Sequence, residues 1–99
     1  MGWFRRNGIK AIRNNTGAFR TESGGYVRFG DKGSPDIIAR VPVTLNGVKF
    51  ATMLAVECKS NTGTLSADQK SWRDAHIADG GIYIVARSVD DLIGGMKHG

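Results

Sequence analysis

Three side chains in this chain have the types and spacing to work together: Asp36, Glu57 and Lys59. The first ends the run Gly33-Ser34-Pro35-Asp36; the other two close the run Val56-Glu57-Cys58-Lys59. Between the runs lies Asn46-Gly47, the strongest short-range signal for a two-residue hairpin between β-rich segments. With those two residues as the turn, Leu45 faces Val48 and the pairing continues until Asp36 falls opposite Glu57. Directly opposite residues on antiparallel strands hold their Cβ atoms about 4.5–5.5 Å apart. Two carboxylates that close can hold one cation between them. Lys59, two residues beyond Glu57, projects from the same face. An Asp, a Glu and a Lys converging on one face of a sheet are the parts of a metal-dependent phosphodiesterase.

The same register sorts the rest of the hairpin. Ile38, Arg40, Thr44, Lys49, Ala51, Met53 and Ala55 share the face of the trio. Ile37, Ala39, Val41, Val43, Leu45, Val48, Phe50, Thr52, Leu54, Val56 and Cys58 take the other, which is almost wholly apolar and calls for a helical cover. A slip of one residue would drive both acids into the core, so the hydrophobic pattern supports the register. Cys58 points to the apolar side and reads as core, not as a nucleophile.

The segment from Gly2 to Gly8 allows a turn or two of helix. Ile9–Asn15 and Tyr26–Phe29 read as strands, and Asn14–Gly17 and Ser23–Gly25 as turns. The glycine-rich stretch 30–33 is not a phosphate cradle, because no helix follows it and the Walker spacing is absent. Ser66 with Gln69 three residues on forms a capping box for a helix that Gly80-Gly81 ends. Gln69, Trp72 and His76 share one face of it; His76 beside Trp72 reads as packing, and His98 as solvated. Ile82–Arg87 is a strand. Ser88 with Asp91 caps a short helix over residues 89–96 that frays into Gly94-Gly95. These elements make one α/β domain over residues 1–99, with a central mixed β-sheet and a long β-hairpin flanked by helices.

The chain has 99 residues and a formal net charge of +5. Residues 1–32 carry seven basic and two acidic side chains, and the remainder balances. A basic end beside a carboxylate site suits a polyanion held while a metal works on it. Arg5, Arg6, Lys10, Arg13, Arg28 and Lys32 are the candidate nucleic-acid-binding residues. A single cysteine fits a reducing cytosol. There is no apolar run long enough for a membrane span, and the start lacks a signal-peptide core. The expected location is cytoplasmic.

Gly33-Ser34-Pro35-Asp36, Glu57-Cys58-Lys59-Ser60, Gly63-Thr64-Leu65-Ser66 with Gln69 and Trp72, and Gly81-Ile82-Tyr83 together resemble the VRR-NUC domain of the PD-(D/E)XK nuclease superfamily. The likeness spans roughly residues 13 to 93. It implies a restriction-endonuclease-like core and a nuclease using Mg2+ or Mn2+. Asp36 and Glu57 would ligate the metal with the backbone carbonyl of Cys58. Lys59 would orient the attacking water or steady developing charge, and Gln69 would border the site. Small stand-alone members look like phage-encoded homodimers acting on branched DNA such as four-way junctions, which would place this chain in host cytoplasm.

One departure stands out. The family usually carries an acidic ligand on an N-terminal helix; here that helix is truncated, and residues 1–20 contain neither Asp nor Glu. The ligand is lost or replaced by water. A shortened first helix leaves sheet surface open, for which a second copy is the simplest cover, with Trp3 and Phe4 as interface residues. Two readings compete with an active DNA endonuclease: a catalytically silent nucleic-acid-binding module of the same fold, and a homodimeric structural protein whose basic end binds a phosphorylated partner.

Overall fold

The Asn46-Gly47 turn anchors the architecture. Both residues take positive φ, 52° and 79°, as a tight hairpin turn matched to strand twist requires. From it run β4 (Ile37–Leu45) and β5 (Val48–Cys58), paired from Leu45↔Val48 to Ile37↔Val56 as the pattern predicts. The computed structural model describes residues 2–14, 17–20, 26–29 and 32–98, with backbone only at 17–20, 26–29, 97 and 98. The remaining elements are α1 (Gly2–Arg6), β1 (Lys10–Arg13), β2 (Gly17–Arg20), β3 (Tyr26–Phe29), α2 (Ala67–Ala78), β6 (Ile82–Ala86) and α3 (Val89–His98).

The main sheet has the order β1-β4-β5-β6. β1 and β5 flank β4 antiparallel, and β6 joins β5 in parallel. The sheet is therefore mixed, and the parallel step is made through a crossover that contains α2. β2 and β3 form a separate antiparallel pair. Gly17, read from sequence as part of a turn, instead opens β2. The turn at residues 23–25, together with residues 15 and 16, lies outside the described residues.

Helices cover both faces at the carboxylate end. On the apolar face, Ala39, Leu54, Val56 and Ile84 pack with Phe4 of α1 and Leu92 of α3 into the core. Phe4 is thus buried within its own chain, with Trp3 edge-on to it at a ring separation of 5.4 Å. This corrects the assignment of Trp3 and Phe4 to an intermolecular contact: even a five-residue helix brings one large side chain onto the sheet. The expected cover is also only partial. Leu45 and Val48 are 61% and 63% exposed, because the hairpin runs past the helices.

α3 continues through Gly94 and Gly95 to His98 rather than fraying. Gly95 is a packing residue: a Cβ there would come within 2.8 Å of the Ile84 side chain. Among the described residues, no helix is long and apolar enough to cross a membrane.

Gly33 fixes the approach to the site. It sits at φ +79°, and a Cβ there would overlap the Asp68 carbonyl in the first turn of α2. Gly33→Ala is therefore expected to lower unfolding free energy by at least about 1–2 kcal/mol from the left-handed backbone alone. Urea denaturation of the two proteins would measure this.

Candidate active site

Asp36 immediately precedes β4 and Glu57 lies in the penultimate position of β5. Extending the ladder by one pair sets them opposite each other. Asp36 is solvent-exposed, and its Oδ2 accepts a hydrogen bond from the Cys58 N–H at 2.9 Å. Glu57 is only 3% exposed. Its Oε1 accepts from Gln69 Nε2 at 3.2 Å and lies 4.0 Å from Lys59 Nζ. Its Oε2 is buried and has no hydrogen-bond partner among the described residues. The structure brings Asp36, Glu57, Lys59 and Gln69 together.

Gln69 is aimed by the helix cap. Ser66 Oγ accepts from the Gln69 N–H at 3.1 Å, and the Ser66 N–H donates to Gln69 Oε1 at 2.8 Å. With its carbonyl oxygen held by the backbone, the side-chain amide can offer Glu57 only its NH2. Lys59 is held from the main chain, its N–H donating to the Ala86 carbonyl at 3.0 Å.

Burial and the neighbouring Asp36 carboxylate push Glu57 up from 4.5 to about 7, against the opposing pull of Lys59. In the absence of a cation Glu57 therefore holds its proton to higher pH than a free carboxylate, as expected for like charges sharing a low-dielectric site. Beside Ala55 on the parallel strand pair stands Tyr83, whose buried hydroxyl also has no partner among the described residues. Burial and the Glu57 charge push Tyr83 to about 12.

Cys58 is exposed, not part of the core as its position in the pattern predicted. It faces the apolar side but borders an open cleft of about 490 Å³ with Phe4, Arg6 and Lys59. Partial burial and the two carboxylates hold its thiol up, so it remains a poor nucleophile. His76 is buried, stacked on Trp72 at 4.9 Å and hydrogen-bonded to the Ile82 carbonyl at 3.0 Å. A Cβ at Gly81 would overlap its ring. Packing is its role.

The basic residues divide. Arg6 lines the cleft beside Cys58 and Lys59, and Arg13 lies close enough to act on the Cys58 thiol. Lys32 pairs with Asp68 at 3.3 Å, a half-exposed contact of little energetic weight. Arg5 and Lys10 border a different depression, between α1 and β1. The Arg28 side chain is outside the described residues.

Two supporting residues have no signature in the motifs. Asn14 continues the β1–β4 ladder, its N–H donating to the Asp36 carbonyl at 2.8 Å. Its side-chain NH2 donates to Ser34 Oγ at 2.9 Å and to the Pro35 carbonyl at 3.0 Å. One side chain thereby ties down the lead-in to Asp36. Arg87 donates from Nη2 to the Gly63 carbonyl at 2.6 Å, pinning the loop after Lys59. Both contacts join segments far apart in sequence, for which only the β1 and β6 registers could have served as a signal.

The family model for the VRR-NUC domain matches residues 6–90, most of the chain, including Asp36, Glu57, Lys59 and Gln69. The chain belongs to the VRR-NUC family. Comparison with curated proteins and with solved structures gave no match. As a VRR-NUC domain it is a nuclease domain, in a superfamily that typically uses a divalent metal. Its mixed sheet flanked by helices agrees with a restriction-endonuclease-like fold.

The donor set fits a hard cation. The orphaned Glu57 Oε2 is a buried carboxyl oxygen with no donor among the described residues. Among the described residues no group of three or more His, Cys, Asp or Glu side chains converges. Two carboxylates, a backbone carbonyl and water would therefore make up the shell, a composition magnesium accepts because it keeps several waters. The α1 segment supplies no acid.

A raised carboxylate pKa has a definite sign in stability. The folded chain binds the Glu57 proton more tightly than the unfolded chain, so this contribution is present at low pH and lost as pH rises from 4.5 towards 7. In cation-free buffer the melting temperature should fall across that window more steeply than in Glu57→Gln. Saturating magnesium should remove the excess fall in the unsubstituted protein. Thermal melts from pH 4 to 8 with and without the cation would check both.

Proposed function

We propose that this domain is a divalent-metal-dependent DNA endonuclease, hydrolysing phosphodiester bonds with Mg2+ or Mn2+ at the Asp36/Glu57 pair. The observation that carries the reading is the buried, unpartnered Glu57 Oε2 beside Asp36 and Lys59. A module that only bound nucleic acid would gain nothing from a carboxylate held at this electrostatic disadvantage.

Asp36, Glu57 and the Cys58 carbonyl would hold the cation. When bound, such a cation lowers the pKa of a coordinated water and offsets charge on a phosphoryl oxygen. The protein's own groups do the rest. Gln69 fixes one oxygen of Glu57, leaving Oε2 as the available ligand atom. Asp36 is oriented by the Cys58 N–H. Lys59 presents a positive charge towards the same face, where it can orient the attacking water or steady the charge that develops on the phosphate. Arg6, Arg13 and the other basic residues of the first third hold the polyanion nearby.

The finer reading, from the family likeness, is action on branched or structured DNA such as four-way junctions, by a homodimer in the cytoplasm. Symmetric cutting of a branched duplex needs two sites related by a dyad. With Phe4 inside its own core, the exposed apolar side chains of the hairpin tip are the surface that supports a dimer. Sedimentation at micromolar concentration should show a species near twice 10.7 kDa; a species at the monomer mass would sink the dimer.

Supercoiled, linear and four-way-junction DNA incubated with and without Mg2+ or Mn2+ would test the activity. Cleavage should require the cation and be lost in Glu57→Gln. Lys59→Ala should slow it by about a hundredfold or more, the scale of losing one charge-stabilising group. Unaltered cutting by Glu57→Gln would overturn the assigned site.

A further inference from the structure

The sheet face that carries Asp36 and Glu57 carries a second group of residues, away from the proposed cation site. Arg40 lies four residues beyond Asp36 in β4 and on the same face. The β1 register sets Lys10 directly opposite it. Like charges in directly opposite positions on antiparallel strands are destabilising. Both residues are exposed, and neither has an ion-pair partner among the described residues. Next to them lies an open depression of about 290 Å³ floored in part by Ile12, Ile38 and Met53. Ile12 and Met53 are 55% and 42% exposed.

We propose that this depression is a nucleotide subsite. The Lys10/Arg40 pair clamps a phosphodiester of the strand being cut, and the adjoining sugar or base rests on Ile12 and Met53. The inference rests on the nuclease reading and adds where the substrate strand runs: along the sheet from the carboxylates towards the hairpin tip. Four strand residues span roughly 13 Å, about four nucleotide steps at ~3.4 Å of duplex rise per nucleotide. A bridging phosphate converts the repulsion between Lys10 and Arg40 into two attractive contacts. An apolar floor beside a cation pair matches the mixed surface of a nucleotide better than that of free phosphate. A phosphodiester brings its own anionic oxygens to the Lys10/Arg40 pair, which an apolar contact between copies of the chain would leave unpaired.

The test uses the full chain in a Glu57→Gln background, so that DNA is bound without being cut. Fluorescence anisotropy of a labelled duplex and a labelled single strand would be followed across a salt series. Lys10→Ala with Arg40→Ala should weaken binding about tenfold and flatten log affinity against log salt by about 0.9 for duplex DNA. Arg40→Lys should keep the slope. Ile12→Ser with Met53→Ser should weaken binding at least threefold, about the loss of one apolar contact, with no change of slope. Without DNA, Lys10→Ala alone should melt no lower than the background protein, because it removes a repulsion.

Four results would overturn the subsite. Unchanged affinity and slope in the cation variant, while the background protein binds DNA, would do so and leave the nuclease reading intact. Failure of the background protein to bind any DNA would remove both. A change of sedimenting mass in the Ile12/Met53 variant, with DNA affinity unaltered, would assign the depression to contact between copies. A lowered melting temperature in Lys10→Ala would assign that side chain to the fold.

Discussion

An antiparallel ladder repeats every two residues, so moving β4 against β5 by one position exchanges the two faces of the sheet. In this chain that exchange would carry Asp36 and Glu57 into the layer of Ala39, Leu54 and Val56, where neither could be solvated. The positive-φ pair Asn46-Gly47 and the apolar alternation along both strands enforce the same register independently. Around it are arranged the Cys58 N–H that orients Asp36, the α2 cap that reaches Glu57, and the β6 carbonyl that holds Lys59. Each of these contacts presupposes the ladder.

The site also shows how a fold tolerates a carboxylate in an unfavourable place. Glu57 is desolvated and faces another acid, and its proton affinity rises accordingly. The surrounding structure holds the position through packing on both sheet faces rather than through the charges themselves. Lys59 at 4.0 Å offsets part of the repulsion but does not form a close ion pair. The arrangement remains receptive to a cation because no donor among the described residues meets Oε2.

Local chemistry was legible in the residues; long-range chemistry was not. The hairpin register followed from a two-residue turn with a unique backbone preference, and the start of α2 from a capping box complete within four residues. Asn14 is different. No short turn links β1 to β4, so nothing in the sequence specifies that its amide meets Ser34 and Pro35. Phe4 likewise resembled a stray terminal aromatic, because its burial depends on α3 and β6 arriving on the same side. Cys58 sat correctly in the alternation, yet exposure is decided by where the covering helices stop, which alternation does not encode. Gly95 carried two meanings, helix end or close approach, and only the neighbouring Ile84 distinguishes them.

The capping box at the start of α2 restricts the chemistry allowed at one position more tightly than helix stability does. Glutamate and glutamine serve interchangeably as the third residue of such a box. At position 69 they are not equivalent, because the atom left over from capping touches Glu57. Glutamate would cap the helix and set a third carboxylate against an already crowded anionic pair. Glutamine caps with its oxygen and donates with its nitrogen. A residue that looks like a freely exchangeable helix-start signal is therefore committed by its second contact to the amide.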